Sequence, residues 1–202
     1  RVVANLAADV EKHQGHLTTG NLCTKYLMET LADQGQADIA FRVATQETYP
    51  GWGFMLAEGA TTLWEQWNGF YSHIHSCFAS PGGWFYQSLA GIRTDPAAPG
   101  FKQIIIKPAV VGDLTWVKCH HDSPYGRIVS NWKREGGKLA MDVTIPANTT
   151  ATVYVPAAAS GKITESGKSL DKVPGVKLLR MENGHAVLAV ESGAYRFASP
   201  GG

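Results

Sequence analysis

At 202 residues the chain is long enough for one large or two ordinary domains, and 44% hydrophobic with 17% charged residues is the balance of a globular protein. Lys and Arg number 18 against 17 Asp and Glu, a formal net charge of +1 with no basic run longer than Lys133-Arg134, so electrostatics give no case for nucleic acid or an anionic membrane and suit a neutral ligand. Apolar runs such as Ile104-Ile-Ile106 are too short to cross a bilayer, and Cys23, Cys77 and Cys119 are odd in number and unpatterned, which indicates neither a disulfide framework nor a zinc site.

The early part of the chain reads helical. Ala4, Leu6, Ala7 and Val10 recur at roughly helical spacing, and Leu22, Tyr26, Leu27 and Leu31 do so again before a stop at Gln34-Gly35. Gln36 to Thr45 is predicted as a third helix, ended by Tyr49-Pro-Gly-Trp-Gly53, where Pro50 and two glycines break the pattern. Thr62 opens a predicted fourth helix and Gly83 to Ala90 forms a fifth. Arg93-Thr-Asp-Pro-Ala-Ala-Pro-Gly100 has the composition of an interdomain connection, dividing the chain into residues 1–93 and 94–202.

Beyond it the texture is β. Phe101 to Lys107, Thr115 to His121, Gly126 to Lys133, Lys138 to Ile145, Thr150 to Val155, Val176 to Met181, His185 to Val190 and Gly193 to Phe197 are short β-branched or aromatic runs between turn residues. That spacing predicts a closed antiparallel sandwich, with hairpin turns at Glu135-Gly136-Gly137 and Glu182-Asn183-Gly184 and disorder confined to Ser199-Pro-Gly-Gly202. Asn148-Thr149-Thr150 matches a glycosylation sequon, but Pro146-Ala-Asn-Thr between two strands reads better as a turn.

Residues 49 to 86 carry about half of the chain's aromatics, and within them Gly59-Ala-Thr-Thr-Leu-Trp-Glu65-Gln-Trp67 sets one carboxylate between two tryptophans. Flat rings can stack on the apolar faces of a pyranose, while carboxylates and imidazoles bond its hydroxyls and move its protons. The same letters admit a plainer reading: Thr62-Leu-Trp-Glu65 fits a capping box, in which Glu65 reaches back to the Thr62 backbone at a helix start. The two roles are compatible, since a helix N-terminus holds a carboxylate ionised. Five helices make less than half of a double ring and leave apolar faces uncovered, so the chain is expected to be the C-terminal part of something larger.

Six motifs in order, Gly15-His16-Leu-Thr-Thr-Gly20, Gln46-Glu-Thr-Tyr-Pro-Gly-Trp-Gly53, Gly59 to Trp67, Leu89-Ala-Gly-Ile92, Pro99-Gly-Phe101 and Gly112-Asp-Leu-Thr-Trp-Val117, resemble bacterial α-L-rhamnosidases of glycoside hydrolase family 78. The resemblance implies the last helices of a six-hairpin α/α barrel followed by an antiparallel β-sandwich, with the rest of the barrel preceding Arg1. It also implies an inverting glycosidase that uses two carboxyl groups and no metal or organic cofactor. Glu65 falls where the family places its general base; the general acid belongs to an earlier part of the barrel with no counterpart here, so this chain alone is expected to be inactive. Ser72-His73-Ile74-His75 resembles the family's Ser-x-Asn-His segment, making His75 the sugar-contacting imidazole, with Ile74 in place of Asn and a short loop after Glu65.

Trp52, flanked by Gly51 and Gly53, is the candidate stacking platform and Trp64 the next; the plainer role for either indole is core packing. Glu47 beside a Tyr-Pro turn and Glu58 beside Gly59 read as surface or helix-end charges, His16 as a residue of the barrel rim, and His120-His121 on a strand point to opposite faces and cannot share a metal. The expected partners are a rhamnose-containing glycoside or polysaccharide and the missing barrel segment, with no nucleic acid and no membrane insertion. A polysaccharide substrate favours a periplasmic or secreted location over the cytoplasm. Two competing readings are a non-catalytic carbohydrate-binding or structural remnant, weakened by the lack of an aromatic row on the sandwich, and a related barrel glycosidase for another sugar. A lyase would need cations around a uronate, and residues 46 to 86 hold no Lys or Arg.

Overall fold

The computed structural model describes residues 1–159 and 162–200. The chain divides into two compact units, Arg1–Ser88 and Leu89–Gly202.

The first unit is helical, built from α1 (Val2–Lys12), α2 (Thr24–Asp33), α3 (Ala37–Ala44), α4 (Trp52–Ala57) and α5 (Ser80–Trp84), with a 3-10 turn at Ser76–Ala79 and a π-helical turn at Phe85–Leu89. Helix α2 is its centre: Thr24, Leu27, Met28 and Leu31 recur every three or four residues and are buried, packing toward α1, α3 and α5. Leu22 and Tyr26, predicted for the same stripe, are instead 72% and 64% exposed. The stop after Asp33 forms as the sequence suggests, with Gln36 N–H bonded to Leu31 O at 2.7 Å and Gly35 at φ +77°.

No helix starts at Thr62. Residues 60 to 75 are irregular, and their backbone groups pair across a hairpin-like loop that replaces the expected helix. The predicted helix at Gly83 to Ala90 is displaced toward the N-terminus, because Pro81 pre-sets the first turn of α5 and the π-helical turn follows directly.

The second unit consists of two sheets that share one core. Its strands are β1 (Ile92–Thr94), β2 (Gln103–Ile106), β3 (Trp116–Ser123), β4 (Gly126–Glu135), β5 (Lys138–Ile145), β6 (Thr150–Pro156), β7 (Thr164–Glu165), β8 (Lys168–Ser169), β9 (Val176–Glu182), β10 (His185–Val190) and β11 (Gly193–Pro200). One sheet runs β1-β2-β6-β10-β9 and the other β3-β4-β5-β11-β7-β8. Alternation puts Leu139, Met141, Val143 and Ile145 of β5 inward against Val153, Val155, Leu188 and Ile104 of the facing sheet. Both predicted hairpins are present: Gly136-Gly137 and Asn183-Gly184 have positive φ at both central residues, and Glu135 pairs with Lys138 and Glu182 with His185.

Three features differ from the sequence reading. Arg93–Gly100 lies inside this unit, as the end of β1 and the turn of the β1–β2 hairpin, with Asp95 N–H on Gln103 O and Phe101 N–H on the Thr94 hydroxyl. Its prolines stand in the turn, where no ladder donor is needed. The sandwich is also not wholly antiparallel: β2 pairs parallel to β6, because the β3-β4-β5 meander of the other sheet serves as the long crossover that a parallel pair requires. Finally, Ser199 and Pro200, expected in a disordered tail, complete β11 opposite Leu139 and Lys138, while Gly201 and Gly202 lie outside the described residues.

Candidate active site

Glu65 sits on the first arm of the hairpin-like loop that joins α4 to the 3-10 turn. Its backbone N–H donates to Ser72 O at 2.8 Å, and His75 N–H donates to Leu63 O at 2.9 Å. Between these two bonds the second arm has one residue more than the first, which is the geometry of a bulge and re-aims the side chains around it. The turn is closed by Gly69 N–H on Gln66 O at 3.1 Å, with Gly69 at φ +74° and a built Cβ only 3.1 Å from the Trp64 ring. Thr62 Oγ1 donates to His73 O and so fastens the outer end of the loop, instead of capping a helix.

The Glu65 carboxylate is half-buried and accepts the Ser72 backbone N–H at 3.3 Å; its carbonyl accepts Asn21 Nδ2 at 3.3 Å. A half-buried carboxylate that accepts a backbone N–H and keeps solvent access suits a base for water. Trp64 is 7% exposed, with its ring stacked on His73 at 4.9 Å, and His73 Nε2 in turn donates to Gly69 O at 2.8 Å. Trp67 is 8% exposed and lies 3.8 Å, centroid to centroid, from Phe78.

Trp52 is brought to the same cluster, but as packing. It is buried at the start of α4, edge-on to Trp67 at 5.2 Å, and its Nε1–H donates to Phe78 O at 2.9 Å. An indole so enclosed has no open face for a pyranose, so Trp52 and Trp64 hold the walls of the loop and do not present the stacking platform expected of them. Gly51 and Gly53 have a different reason from display: a Cβ on Gly51 would lie 2.9 Å from Gln46 O, and one on Gly53 would lie 2.6 Å from the same atom. Only glycine lets α4 start this close to the preceding turn.

His75 is half-buried and caps the 3-10 turn, where its Nδ1 accepts the Cys77 backbone N–H at 3.4 Å. That bond assigns the ring proton to Nε2, leaving a donor suited to a sugar hydroxyl. His16 Nε2 meets Thr48 Oγ1 at 2.8 Å and its Nδ1 lies 3.0 Å from His13 O, joining two of the glycine-bounded motifs. Glu47 and Glu58 are exposed, Glu58 at the C-terminal end of α4. Away from this loop, His120 is exposed, and half-buried His121 packs on Phe101 at 4.6 Å. Among the described residues no three His, Cys, Asp or Glu side chains gather as a metal-holding group, and no helix is long and apolar enough to cross a membrane.

Sequence reasoning missed Ser72, Asn21 and His73 as supports of Glu65 and Trp64. The Asn68-Gly69 pair was the available signal, because such a dipeptide favours a tight turn that returns the chain beside its own upstream arm.

Residues 1–89 match the bacterial alpha-L-rhamnosidase 6 hairpin glycosidase domain, and residues 91–170 match the bacterial alpha-L-rhamnosidase C-terminal domain. The chain belongs to the bacterial α-L-rhamnosidase family. It matches the C-terminal portion of such proteins. A curated α-L-rhamnosidase of Streptomyces avermitilis is 33% identical over 95% of this chain and 19% of its own length. The crystal structure of the Streptomyces avermitilis α-L-rhamnosidase complexed with L-rhamnose superposes with a TM-score of 0.87 at 31% identity, covering 97% of this chain and 19% of that one. The α-L-rhamnosidase structure from Dictyoglumus thermophilum gives 0.82 at 34% identity, covering 94% and 22%. The chain therefore spans about a fifth of the length of the α-L-rhamnosidases it matches.

Proposed function

We propose that the whole protein carrying this chain hydrolyses terminal α-L-rhamnosides of glycosides or polysaccharides with inversion, and that Glu65 is its general base. In such a reaction the base takes a proton from water as that oxygen attacks the anomeric carbon, while a carboxylic acid on the opposite side of the ring protonates the departing oxygen. The two carboxyl groups stand roughly 6.5–9.5 Å apart to admit the water. The observation that carries the reading is Glu65 itself: half-buried in a motif resembling the family's, with its carboxylate accepting the Ser72 N–H, on a loop whose Trp64 and Trp67 are buried. His75, with its donor on Nε2, is the sugar-binding imidazole. The acid is contributed by barrel sequence outside this chain, which alone is inactive. The domain boundary that best serves this division of labour lies near residues 89–93, between barrel helices and sandwich.

The test is rhamnose release from an aryl α-L-rhamnoside by the full-length protein, wild type against Glu65→Gln. Gln keeps an acceptor for the Ser72 N–H but cannot take a proton, so the fold should persist while kcat falls about 10²- to 10⁴-fold. Proton NMR of the first product should show the β-anomer of rhamnose. Undiminished turnover in Glu65→Gln would remove Glu65 from the reaction.

A further inference from the structure

The loop that carries Glu65 departs from regular pairing at one residue, Ile74. A regular antiparallel pairing with Glu65 opposite Ser72 sets Leu63 opposite Ile74, and Leu63 O would then accept the Ile74 N–H. Here Leu63 O accepts the His75 N–H at 2.9 Å, one residue further on, while the Glu65 N–H still reaches Ser72 O at 2.8 Å. The displaced Ile74 N–H is taken by Ser72 Oγ at 3.1 Å, and the same hydroxyl donates to Ile74 O at 3.0 Å. One side chain thus bonds both backbone groups of the extra residue and leaves Leu63 O for His75.

That single residue decides which way His75 faces. Trp64 and His73 stack ring on ring at 4.9 Å, so they share one face of the loop, and Leu63, Glu65 and Ser72 take the other by the two-residue period. Without the extra residue His75 would fall in with Trp64 and His73, because a slip of one position turns every following side chain over. With it, His75 stands opposite Leu63, on the face that carries Glu65. Ser72 is tied to both groups: its N–H lies 3.3 Å from Glu65 Oε2, and its hydroxyl holds the bulge from which His75 departs. On the other side of the bulge, His75 Nδ1 accepts the Cys77 N–H at 3.4 Å.

We propose that Ser72 is a positioning residue for the hydrolysis, its hydroxyl holding the register that sets the His75 imidazole on the same side of the loop as the Glu65 carboxylate. The proposal rests on Glu65 being the base and His75 the sugar-binding imidazole, and it adds the group that places one relative to the other. Alanine at position 72 keeps the backbone bonds to Glu65 and loses only the donor and acceptor for Ile74. Its effect therefore runs through His75 and not through the base.

The experiment is a double-mutant cycle in the full-length protein with an aryl α-L-rhamnoside as substrate: Ser72→Ala, His75→Ala, the two together, Ser72→Thr, which keeps the hydroxyl, and Glu65→Gln. The expected result is that Ser72→Ala lowers kcat/KM about tenfold, the scale of one hydrogen bond, and divides the loss between kcat and KM as His75→Ala does. On the His75→Ala background it should cost less than about twofold further, and Ser72→Thr should restore most of the activity. A loss repeated in full on the His75→Ala background, a loss that Ser72→Thr does not relieve, or no loss at all would overturn the proposal. An unimpaired His75→Ala would overturn it as well, since there would be no imidazole to position. Glu65→Gln separates the two readings. If it is slow while Ser72→Ala is unimpaired, the base stands and the positioning role alone fails; undiminished turnover in Glu65→Gln removes the base and the proposal with it.

Discussion

Among the described glycines, Gly91 should be the most costly to replace by alanine. It adopts φ +73°, and a Cβ built on it would lie 2.1 Å from the carbonyl carbon of Lys107, 2.3 Å from that carbonyl's oxygen and 2.3 Å from Pro108 N. These are backbone atoms, and they cannot swing aside as a side chain would. Lys107 N–H donates to Gly91 O at 2.9 Å, and the next pair, Ile92 and Ile106, belongs to the β1–β2 ladder with both side chains in the core. The left-handed backbone costs about 1–2 kcal/mol for any other residue, and displacing packed backbone adds about 1–3 kcal/mol. Gly91→Ala is expected to destabilise the second unit by about 2–5 kcal/mol.

Gly184 supplies the control. It sits at φ +74° in the β9–β10 turn with nothing within 4 Å of its built Cβ, so Gly184→Ala bears the conformational cost alone, about 1–2 kcal/mol. Native-state hydrogen exchange at the amides of Ile104–Ile106 and Ala151–Val155 reads the opening free energy of this unit without assuming that the two units unfold together. At tenfold per 1.4 kcal/mol, the steric difference of about 1–3 kcal/mol should make the Gly91 variant exchange about 5- to 140-fold faster than the Gly184 variant at these sites. Equal rates in the two variants would refute the steric argument and mean that β1 can leave the sheet without loss.

Ser130→Ala and Trp132→Phe should each cost about 1–3 kcal/mol, because they remove the donors to Ala90 O at 2.6 Å and Leu89 O at 2.8 Å and leave buried carbonyls unpaired. A double mutant cycle by urea denaturation should find their effects non-additive, since both fasten the same two-residue segment. Gly53→Ala should destabilise the first unit by about 1–3 kcal/mol, with exchange rising first at α4, because its Cβ would overlap Gln46 O. In iodoacetamide labelling of the native chain, exposed Cys23 should react ahead of Cys119. Burial pushes the Cys119 thiol up, so at a given pH less of it is thiolate, and its labelling rate should go on climbing above the ordinary thiol range; uniform labelling at pH 8 would contradict this.

The sandwich was legible where local rules decide the outcome. The period-2 pattern of Lys138–Ile145 and the Gly-Gly and Asn-Gly turns each act over a few residues, and β5, β10 and their hairpins appear where those signals stand. What escaped depends on partners far along the chain. Ile92–Thr94 is too short to announce itself as a strand and exists because Ile104–Ile106 returns beside it; the proline content of Asp95–Pro99 described the turn correctly and hid the strand before it. The parallel register of β2 with β6 has no local signature at all, since the chain must first build three strands of the other sheet.

The site gave a sharper conflict, between two local signals a few residues apart. Thr62-x-x-Glu65 asks for a helix start and Asn68-Gly69 asks for a turn, and both cannot hold, because a helix from Thr62 would run through the glycine. Burial decides between them. As a hairpin, the segment puts Trp64 against His73 and Gly69 and Trp67 against Trp52 and Phe78, enclosing two indoles that would each contribute about 2–3 kcal/mol on leaving water. A capping box contributes about 1 kcal/mol, so the hairpin wins by a wide margin. The consequence for chemistry is that Glu65 is oriented by Ser72 and Asn21, from the opposite arm and from the loop before α2, and not by a helix dipole. On the proposal that Glu65 is the base, Asn21→Ala should therefore lower kcat for rhamnose release in the full-length protein while changing KM little, since it frees the Glu65 main-chain carbonyl from its Asn21 donor. A rise in KM at unchanged kcat would place Asn21 in substrate binding and remove it as a support of the Glu65 backbone.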